Sequence, residues 1–570
     1  MLLQALAQYA DSRLKHEQKD PAFVRKRIGY VLNIGNDGEF LGIEEFLPVT
    51  RPGLTNRRTN ILRVPRLPHP RTSGAHPFLG CDNAGYVLGF GEKHVAFTKL
   101  LEEAAAATSD PALCSCVGFF GRKKEVNSAR REFAARNTKP GAWIALSVNG
   151  PVIERKRVRT YWRRIFAREL EAAVQESSAG MCLISGQQGP VVRTHAKITG
   201  VTTVGGNSTG VSLISFGQEA YQSYGWRQAE NSPVAPDRAD AYTLALNHLL
   251  REGRRARVDH GNVAFVAWTR QPVVHTPLQA IEWPDKTPVG TLREIFAERN
   301  GQPANDFYLL GISGNAGRLI VRCWFQLDLT AAIKNVAAWF QSLRISDPFS
   351  GTYAEDPSLP LLLASISRTE PPPDWPVALM RRAVLGEPIG IAVLAAALRA
   401  RRDATGCDAL SPARAGFIRM CLNDQRATRE IPPSLDSGIL DSAYHLGRLL
   451  ALYDVLQYYL QHRKTTKVSD LLYRVALSRP VAAAQQLREM GKIYRLQQES
   501  QYPRKLSSIA VEISEIQSDL DRTGFPEVFS LEGQAHLALG FHHQAAANKA
   551  RAAARDQNRP DRKLRRRENE

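Results

Sequence analysis

The sequence predicts an α+β protein, with a mixed α/β N-terminal region followed by a C-terminal α-helical bundle. Short strand-like runs recur through the first two-thirds of the chain, and a composition shift begins at the proline run 371–373. From residue 446 onwards, apolar residues fall at spacings of three and four, which is typical of one face of a helix. A chain of 570 residues has room for about two to four domains.

The elements follow from local periodicity. The first predicted strand covers 27–34 and ends in the turn 35–38, which contains two glycines. Further strands are predicted at 142–148, 181–185, 191–192, 211–216, 263–268 and 319–325. Helices are predicted between them at 125–137, 160–175, 237–251 and 292–299. The apolar stripes of the bundle lie at 446–460, 471–477, 481–496 and 506–520.

Two proline-rich breaks predict the domain division. The run 371–373 is stiff and non-helical, and a second break lies at Pro432 and Pro433. We therefore predict four parts: a mixed α/β region at 1–370, a helical and proline-containing connector at 371–435, a helical bundle at 436–548, and a basic, disordered tail at 549–570.

Composition limits the possible functions. Hydrophobic residues make up 43% of the chain, which excludes wholesale disorder, and no apolar run approaches the ~18 residues of a membrane helix. The seven cysteines are scattered, with only Cys114 and Cys116 close together, so the sequence indicates neither a disulfide framework nor a metal knuckle. We expect a cytoplasmic protein with reduced thiols, no metal, no cofactor and no membrane partner.

The charge points to a polyanionic partner. The chain has 75 Lys+Arg against 56 Asp+Glu, a formal net charge of +19. The first 430 residues carry +14 of this, the part from 431 to 548 is neutral, and the tail 549–570 carries +5. The sequence therefore favours nucleic-acid binding by the N-terminal part.

Catalytic motifs are weak. Residues 206–210 fit the pattern GxSxG, but a nucleophile elbow needs a helix after the serine, whereas residues 211–216 alternate like a strand. The pattern predicts a glycine-rich loop, and we expect no catalytic residue. A nucleic-acid hydrolase that uses Ser208, and a nucleic-acid-binding scaffold without sequence preference, stay open as alternatives.

Two segments are candidates for nucleic-acid binding. The loop 204–210 combines glycines and open backbone amides with small polar side chains, so it can approach a phosphate backbone or a groove floor. A loose hairpin connection is the other interpretation of this loop. The segment 155–164 has six basic residues in ten, which is typical of phosphate contact, although a solvated helix face would look the same. These residues are Arg155, Lys156, Arg157, Arg159, Arg163 and Arg164.

An ordered set of motifs resembles the Csd family, the large subunit of the type I-C CRISPR surveillance complex, Cascade. The set is spread over most of the region 1–330, at 1–6, 71–74, 78–89, 182–186, 197–201, 205–206, 215–216, 221–225, 231–234, 241–247 and 310–324. Matches at 444–449 and 541–544 continue it into the C-terminal region.

The resemblance implies a non-catalytic subunit of an RNA-guided antiviral complex. Such a subunit recognises the protospacer-adjacent motif in target double-stranded DNA, promotes unwinding and R-loop formation with the crRNA, and helps recruit a helicase–nuclease. The implied partners are the crRNA, the target DNA, the backbone and crRNA-end subunits of Cascade, and a small subunit that resembles the chain's own C-terminal domain. That small subunit is typically made from an internal start, for which Met420 is a candidate.

The resemblance also suggests roles for single residues. We expect the glycine-rich loop to lie at the motif-reading site, with Gly205, Gly206, Asn207 and Ser208 in or near a groove. Gln228 and Asn231 would read base edges or wedge the duplex, and Lys197 would hold a phosphate. The further phosphate candidates are Arg71, Arg318 and Arg322. The alternative for Arg318 and Arg322 is a structural role, with Arg318 buried against an acid. The alternative for Arg71 is packing or contact with the crRNA end.

Overall fold

A computed structural model describes most of the chain. The described residues are 1–15, 20–45, 61–68, 74–136, 141–175, 178–251, 256–287, 304–367, 369–399, 410–425, 430–460, 466–501 and 507–557. All structural statements below concern these residues.

Twelve strands and eighteen helices occur in the described part of the chain. The strands are β1 Phe23–Arg27, β2 Tyr30–Ile34, β3 Phe40–Glu45, β4 Ile61–Pro65, β5 Cys81–Asn83, β6 Trp143–Ser147, β7 Ala179–Met181, β8 Gln188–Pro190, β9 Arg257–His260, β10 Val263–Thr269, β11 Asp306–Asn315 and β12 Arg318–Asp328.

The helices concentrate towards the C-terminus. They are α1 Leu2–Arg13, α2 Ala84–Val87, α3 Glu92–Thr108, α4 Pro111–Gly121, α5 Lys123–Ala135, α6 Lys156–Gln175, α7 Pro236–Arg251, α8 Pro277–Glu282, α9 Leu329–Leu343, α10 Leu359–Ile366, α11 Asp374–Leu385, α12 Ile391–Arg399, α13 Pro412–Asp424, α14 Ser442–Leu460, α15 Val468–Ser478, α16 Pro480–Gln501, α17 Ser507–Thr523 and α18 Leu531–Gln557. The predicted α+β class is confirmed. Within the described residues, none of these helices has both the length and the hydropathy needed for a bilayer span.

The chain divides into two compact units. The first comprises residues 1–202, 206–251 and 314–319, and the second comprises 203–205, 252–313 and 320–570. Residues 252–313 and 320–370 thus group with the helical part, although they belong to the predicted region 1–370. The four-part division stays a prediction about folding units.

The first unit contains a mixed four-stranded sheet in the order β3-β2-β6-β5. Strand β2 runs antiparallel to β3 and parallel to β6. Alternate residues such as Leu32, Ile144 and Leu146 face a core that helices α3 to α6 complete with Phe97, Phe119 and other buried side chains. This core fixes the position of the basic helix α6.

The second unit contains an antiparallel sheet in the order β12-β11-β10-β9. The turn between β9 and β10 places Gly261 and Asn262 at positive φ, as a two-residue type I′ hairpin requires. One face of the sheet, with Phe265 and Phe307, packs into the core that includes Trp339 of α9.

A buried arginine closes the C-terminal end of α9. Arg419 is 4% exposed, and its guanidinium donates to the carbonyls of Gln341, Ser342 and Arg344. Carbonyls at the end of a helix lack their usual partners four residues on, although that of Gln341 also accepts the Arg344 N–H at 3.4 Å. A cation near the helix C-terminus interacts favourably with the helix dipole. Burial lowers the pKa of Arg419, although the charge of Glu430 raises it.

The C-terminal helices α14 to α18 share a core of their own, with Leu446, Tyr453 and Leu487 at its centre. Helices α14 and α18 cross closely because glycines face the opposing backbone. A Cβ added to Gly447 would overlap the carbonyl oxygen of Leu537, and one added to Gly540 would overlap that of Tyr444. The predicted stripes at 446–460, 471–477, 481–496 and 506–520 lie on α14, α15, α16 and α17.

Several predicted elements differ from the structure. The strand predicted at 27–34 is two strands, and the segment 191–192 belongs to no strand. The segment 181–185 is mostly a turn, closed by the bond from the Gly186 N–H to the Cys182 carbonyl at 2.8 Å. In the segment 211–216, only Val211 and Ser212 form isolated bridges. The helix predicted at 292–299 lies outside the described residues.

The glycine crossing yields a stability prediction. Gly447→Ala should lower the free energy of unfolding of the bundle by about 1–3 kcal/mol, since helices α14 and α18 must move apart to admit the methyl group. Hydrogen exchange of the α14 and α18 amides in the full-length chain measures the change.

Gly121, at the end of α4, is the matched control, because a Cβ there meets no atom within 4 Å. Gly121→Ala should leave protection unchanged or raise it, since alanine is the better helix former by about 1 kcal/mol. Equal protection in the Gly447→Ala variant and the unchanged protein would contradict the close crossing.

Candidate nucleic-acid interface

The glycine-rich loop is held by main-chain pairing with the tip of the β11–β12 hairpin. Gly206 forms a parallel bridge with Ala316, and Ser212 forms one with Arg318. The N–H of Asn207 donates to the carbonyl of Ala316 at 3.2 Å, and that of Ser212 donates to Gly317 at 2.9 Å. Both segments belong to the first unit, so two stretches about a hundred residues apart in sequence form one surface.

The glycines of this loop serve packing. A Cβ on Gly206 would come within 2.9 Å of the Val201 carbonyl oxygen, and Gly210 has φ +96°. The N–H of Gly206 donates to Val201, and that of Gly210 donates to the carbonyl of Asn207. The expectation of open backbone amides is therefore wrong at Gly206, Asn207 and Gly210, since each of these N–H groups has a partner inside the fold.

The loop instead presents side chains. Asn207, Ser208 and Thr209 are exposed, and among the described residues none forms a hydrogen bond with their side chains. No α-helix follows Ser208 among the described residues until α7 begins at residue 236, and the two short 3-10 helices before it start at residues 219 and 228. The loop thus lacks the strand–turn–helix geometry that a nucleophile elbow requires. Gly205 has φ +87°, a conformation that favours glycine.

Lys197 lies beside this loop. Its Nζ donates to the Ser212 hydroxyl at 2.8 Å, while the residue as a whole is exposed. An ammonium group has three donors, so this hydrogen bond leaves it able to contact a phosphate. The predicted phosphate contact is compatible with this position.

The side-chain amide of Asn231 forms hydrogen bonds with the main chain of the loop that precedes it. Its Nδ2 donates to the carbonyls of Trp226 and Gln228, both at 3.0 Å, and its Oδ1 accepts the Ser223 N–H at 2.9 Å. These bonds fix the loop 223–231. Base reading by the same amide would require breaking them, so direct base contact by Asn231 stays a prediction.

Gln228 has a positive φ of 48° and faces a cation. Its Oε1 accepts a hydrogen bond from the Nε of the exposed Arg193 at 2.8 Å. The side chain is half-buried, and the pair places an arginine beside the loop.

The same loop exposes aromatic rings that the sequence reasoning missed. Tyr224 is 93% exposed and Trp226 is 51% exposed, with ring centroids 6.0 Å apart. Tyr221 precedes them, and the guanidinium carbon of Arg318 lies 4.0 Å from its ring centroid. The predicted burial of Arg318 against an acid is wrong, because this half-buried arginine stacks on Tyr221 instead. The sequence signal that could have indicated these exposed rings is the occurrence of aromatic residues among polar neighbours without apolar periodicity.

The basic helix α6 is partly neutralised from within the fold. Arg163 donates to both carboxylate oxygens of Asp20, and Arg159 lies 3.5 Å from the same group. Both guanidiniums also lie over the ring of Phe23. Burial raises the pKa of Asp20, but the hydrogen bond and charge of Arg163, with the charges of Arg63 and Arg159, outweigh it and lower the pKa.

The other cations of the segment divide into two groups. Arg155 donates to the carbonyl of Val148 and lies 3.8 Å from the buried Asp110. Lys156, Arg157 and Arg164 are exposed, and no ion pair to them occurs among the described residues. These three are therefore the best placed for phosphate contact.

Two phosphate candidates remain. Arg322, on β12 in the second unit, is exposed and its Nε donates to the Ser313 hydroxyl at 3.2 Å. Arg71 lies outside the described residues. In the described ranges, no group of three or more His, Cys, Asp or Glu side chains could hold a metal ion.

The cations of the segment 155–164 that have partners inside the fold should contribute less to the salt dependence of DNA binding than Arg157 and Arg164. In the double variant Arg157→Ala/Arg164→Ala, the slope of log K against log salt for duplex DNA should be smaller by about two units, because each phosphate contact contributes about 0.9. Fluorescence anisotropy of the full-length chain at several salt concentrations measures the slope.

Arg163→Ala is the matched control, since its guanidinium pairs with Asp20. This variant should change the slope by less than one unit. An unchanged slope in the double variant would show that Arg157 and Arg164 face solvent only.

The chain was compared with known proteins. The model of the family described as CRISPR-associated protein (Cas_Csd1) matches residues 6–548, nearly the whole chain. A search of curated proteins finds no match. The resemblance of the ordered motifs is thereby confirmed, and the family implies membership of a Cascade-type complex. The chain belongs to the Csd1 family of CRISPR-associated proteins.

Proposed function

We propose that this chain is the large subunit of a type I-C Cascade and that it recognises the protospacer-adjacent motif in double-stranded target DNA. The observation that carries the proposal is the exposed pair Asn207–Ser208 on a loop that main-chain hydrogen bonds hold. Lys197 and Arg318 both contact Ser212 of the same loop. Uncharged side chains of this kind read base edges, while neighbouring cations position the phosphates.

The rigidity of the loop supports the proposal. Discrimination between base pairs requires donors and acceptors at fixed positions, since a side chain on a loose loop can adapt to a wrong base. The bridges of Gly206 and Ser212 to the hairpin tip supply that fixed backbone. The exposed cations of α6 would add affinity without sequence preference, because phosphates are the same along any DNA.

The proposal includes promotion of unwinding and R-loop formation with the crRNA, and help in recruiting a helicase–nuclease in antiviral defence. The guide RNA selects the rest of the target by base pairing, so the large subunit needs to recognise only the short flank. The partners are the backbone and crRNA-end subunits, together with a small subunit that resembles α14 to α18.

The bundle's own core supports a separate small subunit. Residues such as Leu446 and Leu487 pack inside α14 to α18. Tyr444 and Leu539, however, join the other core of the second unit, so a separate bundle would expose them unless a neighbour covered them. The candidate start Met420 is fully buried within α13, and a product that began there would lack the first turns of this helix.

Motif recognition is tested on the assembled complex with fluorescent duplexes that differ only at the flank. Asn207→Ala should reduce the preference for the best flank by about 5- to 150-fold, the range expected for one lost base-edge contact. Lys197→Ala should weaken all flanks equally, since it removes a phosphate contact.

The chain offers a matched control in Asn127, an exposed asparagine followed by serine on α5 of the same unit. Asn127→Ala should leave both affinity and preference unchanged. Equal affinity of the unchanged complex for every flank would overturn the proposal.

We also propose that the subunit has no active site of its own. The purified chain should turn over neither single- and double-stranded DNA, nor RNA, nor a chromogenic ester above background. Turnover that disappears in Ser208→Ala would show instead that the exposed serine is a nucleophile.

A further inference from the structure

The loop 219–231 exposes aromatic surface to an unusual degree. Tyr224 is 93% exposed and Trp226 is 51% exposed, whereas large aromatic residues such as Trp162 and Tyr242 of the same unit are fully buried. Exposed aromatic surface of this kind marks interaction sites. In the described part of the chain, the Tyr224 ring has Trp226 as its ring neighbour, and its side chain forms no hydrogen bond.

The backbone of the loop has an unusual conformation at these rings. Tyr224 and Gly225 both have positive φ, 56° and 77°, and for a tyrosine this backbone conformation is unfavourable. The three hydrogen bonds of Asn231 and the bond from the Trp226 N–H to the Ser223 carbonyl stabilise it. Backbone strain that the surroundings over-determine is typical of functional segments.

The charges around the loop favour a polyanion. Arg193, Arg227 and Arg318 lie on or beside it. Glu219 is an exposed carboxylate on the same loop, while Glu230 accepts the Arg227 N–H at 2.7 Å. This backbone hydrogen bond and one from Ser178 lower the pKa of Glu230. Three cations against two carboxylates leave the loop and its surroundings with a net positive charge.

The exposed rings favour a single-stranded nucleic acid over a duplex. Tyr224 and Trp226 are inclined at 57° to each other and do not stack together, and both rings keep exposed surface. In a duplex, neighbouring base pairs cover both faces of every internal base. Aromatic side chains next to cations are therefore typical of sites for single strands, whose bases are free to stack.

We propose that Tyr224 and Trp226 form a stacking site for unpaired bases of a single DNA strand, with Arg193, Arg227 and Arg318 facing its phosphates. The inference rests on the proposed function: unwinding follows flank recognition, and it produces a single DNA strand that could bind here. Arg318 connects the two, because its backbone bridges Ser212 of the motif-reading loop and its side chain covers Tyr221.

The test uses the full-length chain and a fluorescent oligothymidylate. Trp226→Ala and Tyr224→Ala should each weaken binding by about 5- to 150-fold, the value of one base–aromatic stack, while Trp226→Phe and Tyr224→Phe should keep most of the affinity. The salt slope should stay unchanged in Trp226→Ala and fall by about 0.7 in Arg318→Ala, because only the arginine displaces counterions. A thymine analogue, 5-iodouracil, in the same oligonucleotide should photo-crosslink within residues 219–231.

Phe90 provides a matched control. It is 81% exposed, belongs to the same unit, and lies beneath the guanidinium of Arg130 at 4.0 Å, so it is also an exposed ring with an arginine. Phe90→Ala should leave the affinity for oligothymidylate unchanged. Unchanged affinity in both Trp226→Ala and Tyr224→Ala, or crosslinks that lie elsewhere, would overturn the inference.

Two further outcomes separate the alternatives. If Trp226→Ala impairs assembly with the other subunits but binds oligothymidylate normally, the loop contacts protein and the inference is wrong. If the unchanged complex binds all duplex flanks equally, the proposed function fails, while an oligothymidylate affinity that depends on Trp226 would still support stacking.

Discussion

The candidate interface depends on main-chain hydrogen bonds between the loop 206–212 and the tip of the β11–β12 hairpin. These bonds occupy the N–H groups of Asn207 and Ser212, bring Arg318 beside the loop, and leave the side chains of Asn207 and Ser208 exposed. The cation over Tyr221 then connects the loop to the aromatic segment. A single backbone arrangement thus positions an amide, a hydroxyl, two cations and two exposed rings on one unit.

The basic helix shows why total charge is a poor guide to binding. Asp20 holds Arg159 and Arg163, and Arg155 faces a carbonyl and Asp110. About half of the cations in this segment therefore have internal partners, although the sequence places no acid next to them except Glu154. Affinity for a polyanion depends on the cations that remain exposed, because only these can displace counterions from phosphates.

The fold class and the helices of the bundle could be predicted, because their signal is local: apolar residues recur at three- and four-residue spacing along α14. The extent of burial could not, since α14 is buried all round from residue 443 to 453. The strand predicted at 211–216 could not be assessed in this way, since its pairing depends on the folded chain: Val211 bridges Ile198, and Ser212 bridges Arg318 at a hairpin tip about a hundred residues further along. The role of Asn231 was equally inaccessible, because its amide bonds to main-chain groups that only the folded loop brings within reach.

Main-chain pairing has a consequence for how recognition can change over time. The bonds to the hairpin tip are made by backbone groups, so they do not depend on which side chains occupy positions 207, 208 and 209. Substitutions there would leave the folding free energy nearly the same, whereas Gly206 and Gly210 are fixed by close packing. The backbone conformation of the loop can therefore stay the same while the side chains at positions 207, 208 and 209 change. Substitutions at these positions can produce a preference for a new flanking sequence without a change in the fold.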